Sequence, residues 1–218
     1  MKTALITGFE TFGNYLFNPS KWLALSVDGK RISDYEIHSL VFPSVVRFSE
    51  DAENPGDRVV KKAQEIGADV IISFGLASEV KGFRIERSAT NWIFNEKYCA
   101  AYENNRPLNS SKAEKEQVHN DLSNWDFDKM QNLFSEAKIP FDTNISDDPG
   151  QFCCNALIYS TVLAKQKNKI KIPYLFVHFA CTEEAIELMQ DFDRKNKTLI
   201  KKEDTLKALE IILQSFKN

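Results

Sequence analysis

Three side chains could do chemistry together: a thiol at Cys154, an imidazole at His178 and a carboxylate at Glu86. Thiol, base and orienting carboxylate are the parts of a nucleophilic hydrolase. Cys154 lies in the stretch Ser146-Asp-Asp-Pro-Gly-Gln-Phe-Cys-Cys-Asn155, and an apolar run follows (Ala156, Leu157, Tyr159, Val162, Leu163). Turn residues before that run predict a thiol on the first turn of a helix. There, unpaired backbone N–H groups and the helix dipole favour a thiolate. His178 closes the apolar run Tyr174 to Val177, and Glu86-Arg87 stands beside another such run.

Taken singly, each residue has a plainer explanation. A free cysteine is most often a small core residue, and Cys153 fits that description. A lone histidine near a strand is usually a satisfied core group. A Glu-Arg pair beside a strand is usually a structural ion pair. The turn Gly8-Phe-Glu-Thr-Phe-Gly13 lacks both phosphate-binding fingerprints, and its phenylalanines could simply pack on a helix.

The elements that must position these groups alternate in type. Strands are expected over 3–7, 35–42, 68–74, 85–95, 139–143 and 174–177. Helices are expected over 21–27 (capped by Asn18-Pro-Ser20), 45–53, 57–66, 126–137 and 202–216, and after Cys154. Residues 96–109 read as loop. This order predicts an α/β fold, a three-layer α/β/α sandwich around a twisted mixed, mostly parallel sheet. With no linker or repeat, residues 1–218 are expected to form one catalytic domain.

Composition narrows the function classes. The net charge is −3, so no broad cationic surface for nucleic acid or anionic lipid is expected. No segment approaches the roughly 20 apolar residues of a membrane span. The apolar run from Ala4 to Phe9 is too short for a signal peptide, so a cytoplasmic location is expected. Cys99, Cys153, Cys154 and Cys181 then read as reduced thiols. Together with His38 and His119 they show no metal-ligand spacing, so no metal site is expected.

Taken together, the segments resemble the pyroglutamyl peptidase I (pyrrolidone-carboxylate peptidase) family. Glu86-Arg87-Ser88-Ala89-Thr90-Asn91 matches that family's glutamate motif. Ser146 to Asn155 matches its cysteine motif, with Pro149 in place of alanine. Phe176-Val177-His178 matches its histidine strand.

The resemblance implies a cysteine exopeptidase that removes N-terminal 5-oxoproline from capped peptides, without a cofactor. It also implies a homotetramer. By that likeness Cys154 is the nucleophile, His178 the base and Glu86 the residue that orients it. Phe9, Phe12 and Phe152 would line the ring slot. Main-chain groups near Phe12, Leu76 and Cys153 would pair with the lactam. The chain departs from the family in the turn after Gly75. Glu79-Val80 stands where the family has Gly-Arg, and Arg84 where it has Ser or Thr. The family's proline after the histidine is also missing. These changes mark a divergent member. They keep two alternatives open: a hydrolase of another small amide or thioester, and a non-catalytic binder of capped peptides.

Overall fold

The computed structural model describes residues 1–13, 15–44, 53–94, 104–188 and 197–217. In chain order the elements are β1 (Lys2–Phe9), α1 (Pro19–Val27), β2 (Arg31–Ile32), β3 (Tyr35–Phe42), α2 (Pro55–Glu65), β4 (Val70–Leu76) and β5 (Phe83–Glu86). They continue with β6 (Ser88–Thr90), β7 (Gln117–His119), α3 (Phe127–Glu136), α4 (Cys153–Lys167), β8 (Tyr174–Phe179), α5 (Glu183–Glu187) and α6 (Lys202–Gln214). The helix expected over 45–53 falls almost wholly outside the described residues, as does Cys99.

The main sheet has the order β2-β3-β1-β4-β8-β5. Its four inner strands are parallel, and β2 and β5 run antiparallel at the edges. This is the expected mixed, mostly parallel sheet. Alternation along each strand sorts the side chains into two cores. Ala4, Ile6, Ile72, Phe74, Val177 and Phe179 pack under α1, α3 and α6. Leu5, Ile71, Tyr174 and Phe176 pack under α2 and α4. Such two-sided burial explains why β1, β4 and β8 read as near-continuous apolar runs.

The chain turns both ways from β1, to β3 on one side and to β4 on the other. α/β sheets leave a crevice at the carboxyl ends of the strands beside such a reversal. Phe9, Leu76 and His178 stand at or next to the carboxyl ends of β1, β4 and β8.

Two expectations are corrected. The strand expected over 85–95 is two strands in different sheets. β5 pairs with β8, whereas β6 pairs with β7 in a separate two-stranded sheet. The break falls at Arg87, whose N–H donates to Ser146 O at 2.7 Å instead of continuing the main ladder. Residues 139–143 form only an isolated bridge, Phe141 with Phe83. The short elements β2, β7 and α5 were not expected. They are too brief to show periodicity.

Candidate active site

The thiol is delivered as the turn residues suggest. Helix α4 begins at Cys153, with no side-chain cap on Phe152, so Cys154 lies in the first turn. Nearly every face of the helix is buried after that point, between the sheet, α2 and β6. Gly56 on α2 permits this, because a Cβ there would stand 2.1 Å from the Ser160 backbone carbon. Asn155 pins the helix head. Its Oδ1 accepts from Thr90 N, and its Nδ2 donates to Thr90 O and Trp92 O, each at 2.8 Å.

The loop before the thiol is zipped to the outer edge of β5. Ser146 N donates to Ile85 O at 2.9 Å, and Arg87 N returns the bond to Ser146 O. Beside it, Asp147 receives Arg87 and Ser88, and Ser88 Oγ lies 2.7 Å from His119 Nδ1. Arg87, then Ser88, holds the Asp147 carboxyl down at about 2.

Glu86 and His178 face the α4 side of the sheet on neighbouring strands. Glu86 Oε1 and His178 Nδ1 are 2.8 Å apart, both buried. Burial alone would raise the Glu86 carboxyl. The His178 contact, with Ser146 and Arg84 nearby, outweighs it and leaves the group below its ordinary value. An ionised carboxylate only accepts, so Nδ1 carries a hydrogen, and in the neutral ring the lone pair is then on Nε2. Among the described residues Glu86 Oε2 has no partner, and the Ser146 hydroxyl donates instead to Asp148 O at 3.2 Å.

Sulfur and ring converge over Gly75. A Cβ on Gly75 would stand 2.9 Å from Cys154 Sγ and 3.1 Å from His178 Cδ2, the carbon bonded to Nε2. No hydrogen bond joins the sulfur to the ring. Interaction with Cys153, then burial and the Glu86 carboxylate, push the Cys154 thiol well up, and the backbone N–H at the helix head pulls it down.

A cavity of about 420 Å³ opens over this point. Phe9, Phe12, Leu76, Phe152 and Cys153 all line it, with Cys154 and His178. Glu86 lies beneath, out of contact with it. Asn18-Pro-Ser20 holds the phenylalanine wall: Ser20 Oγ accepts from Phe9 N at 3.0 Å, and Asn18 caps α1. Another cavity of about 440 Å³, between α2 and α4, contains none of the three groups. Among the described residues, no cluster of three or more His, Cys, Asp or Glu could hold a metal. None of their helices is long and apolar enough to cross a membrane.

The sequence reading did not single out Gly75 and Asn155 as site residues. The signal for Gly75 was a glycine ending a β-branched strand. For Asn155 it was an amide heading an apolar helix.

The pyroglutamyl peptidase family model matches residues 2–215. The chain belongs to the pyroglutamyl peptidase family. This is a family of cysteine peptidases, and the chain matches it over nearly its full length. It is 30% identical to the pyrrolidone-carboxylate peptidase of Brachyspira hyodysenteriae over 215 residues, 97% of each chain. It is 31% identical to that of Bacillus mycoides over 182 residues, covering 82% of this chain and 78% of the other. Among solved structures, it superposes on the pyrrolidone carboxyl peptidase of Thermococcus litoralis with a TM-score of 0.77 at 22% identity, covering 99% and 93%. A mutant pyrrolidone carboxyl peptidase from Pyrococcus furiosus gives 0.76 at 23% identity, covering 98% and 97%. The pyroglutamyl peptidase fold is therefore shared with both.

Proposed function

We propose that this pyroglutamyl peptidase family member removes N-terminal 5-oxoproline from peptides through an acyl-enzyme on Cys154. The carrying observation is the convergence of Cys154 and the Glu86-held His178 over Gly75, at the floor of a phenylalanine-lined cavity.

His178 Nε2 takes the thiol proton as sulfur attacks the 5-oxoprolyl carbonyl carbon. The new C–S bond places the carbonyl electron pair on oxygen, and N–H groups at the head of α4 stabilise that charge. Collapse breaks the C–N bond, and His178 gives its proton to the departing amine. Water then attacks the thioester while His178 accepts its proton, and the C–S bond breaks to release 5-oxoproline. Glu86 keeps the ring in the tautomer that can act as a base.

The capping ring is neutral and flat. Phe9, Phe12, Leu76 and Phe152 offer it an apolar slot, with main-chain partners near Phe12, Leu76 and Cys153. A free α-ammonium would lose its hydration there without compensation. The reading takes residues 1–218 as one catalytic domain acting in the cytoplasm. Exposed Leu16 and Leu25 beside Trp22 suit the subunit contact of a homotetramer.

The test is release of fluorophore from a 5-oxoprolyl amide, with prolyl and glutaminyl amides as controls. Wild type should cleave only the first, and Cys154→Ala should lose at least about 10³-fold in kcat. Turnover surviving that substitution overturns the mechanism. Tight binding of the amide without release would favour the binder instead.

A further inference from the structure

His178 has a sheet partner on each side. Gly75 pairs with it from β4 and Arg84 from β5. The Gly75 side holds the Cys154 sulfur, and the Arg84 side holds a guanidinium. Arg84 Nε donates to Glu86 Oε1 at 2.7 Å, the same oxygen that His178 Nδ1 meets at 2.8 Å. Arg84 Nη2 reaches Asp148 O at 3.4 Å, in the loop that leads to the thiol. Its side chain is 25% exposed and lines the cavity.

We infer that Arg84 is a positioning residue for the reaction: it fixes the carboxylate that orients His178 and offsets that carboxylate's field at the sulfur. One oxygen held by two donors has little freedom to turn. The guanidinium is planar and permanently charged, so it keeps this geometry at any working pH. Glu86 by itself opposes negative charge on Cys154. Paired with Arg84, it retains the hydrogen bond to the ring while its repulsion is reduced. The titratable and charged groups around the sulfur's cavity are Cys153 on α4, Arg84 on β5, His178 on β8, Asp148 in the thiol loop and Glu79 after β4, which is tied to Lys197, with Glu86 on β5 beneath. Among the described residues lining the cavity, Arg84 is the one permanent cation.

This inference rests on the proposed triad, so its test uses a readout that needs no substrate. Iodoacetamide labelling of Cys154 is followed by mass spectrometry against pH in wild type, Arg84→Met and Arg84→Lys. Kinetics on the 5-oxoprolyl amide and thermal melting run alongside. Removing a cation tightens nearby protons, so both steps of the Cys154–His178 pair move to higher pH. In Arg84→Met the labelling midpoint should rise by about one pH unit, or about tenfold slower labelling below it. Its kcat should fall more than its KM rises. Arg84→Lys should recover most of the midpoint but not kcat, because the fork is lost. An unshifted midpoint with a lowered melting temperature overturns the inference and leaves Arg84 a packing role. Should Arg84→Met fail to fold, Arg84→Gln gives the same reading, and an unshifted midpoint there is equally fatal. A wild type whose Cys154 does not label at all overturns the triad and this inference together.

Discussion

Gly75 and His178 are direct partners in the parallel ladder between β4 and β8, and the Cys154 sulfur fills the space a Gly75 side chain would take. The hydrogen on Gly75 is therefore a requirement of the site. A methyl group there meets sulfur at 2.9 Å, the Phe176 ring at 2.9 Å and the imidazole at 3.1 Å, so the sulfur must move.

Gly75→Ala should accordingly lower kcat/KM by roughly 10²-fold, since a displacement of about 1 Å is enough for that loss. The overpacking should cost about 1–3 kcal/mol in stability. Steady-state kinetics and urea melts on the same preparation check both. Unchanged kinetics would show that sulfur and ring do not need this spacing.

Glu86→Gln keeps the size of the side chain and removes its charge. The amide can donate as well as accept, so it no longer fixes the ring's tautomer, and Arg84 loses its ion partner. The expected outcome is a fall in kcat of about 10²–10⁴-fold with KM little changed. A KM effect alone would place Glu86 in binding instead.

Acid stability follows from the same carboxylate. The folded Glu86 carboxyl lies below its ordinary 4.5. It binds protons less readily folded than unfolded, so it stabilises the protein fully above about pH 4.5. That contribution is lost as pH falls through the depressed folded value. The difference in melting temperature between wild type and Glu86→Gln should therefore shrink as pH drops below 4.5. Melting curves between pH 3 and pH 7, taken at steps of about half a unit, test this.

Asn155→Ala removes three hydrogen bonds that tie the head of α4 to residues 90 and 92. Buried backbone groups left without partners cost about 1–3 kcal/mol each. A loss of roughly 2–4 kcal/mol is expected in chemical denaturation, together with faster amide exchange across 153–156. A stability within error of wild type would mean that water replaces the amide at no cost.

Much of the site was legible because its residues carry chemistry and sit at element ends. Cys154 follows a run of turn residues, and His178 stands near the end of an apolar strand, so both positions could be read from spacing. Phe9, Phe12, Leu76, Phe152 and Cys153 line one cavity with them. Gly75 was illegible because its contribution is a missing side chain. The split at Arg87 was hidden as well. Buried residues on both sides of it look alike, and only pairing partners distant in sequence decide which sheet each half joins. Arg84 showed as a departure from the family pattern, but its shared oxygen with His178 depends on a cross-strand register that one sequence does not display.

The stretch from Pro140 to Ser146 covers the outer edge of β5 with backbone hydrogen bonds, from Phe83 to Arg87. This seam joins the carboxylate's strand to the approach of the nucleophile, some sixty residues later in the chain. Neither can come loose while the other stays in place, so the centre is assembled or dismantled as one cooperative unit.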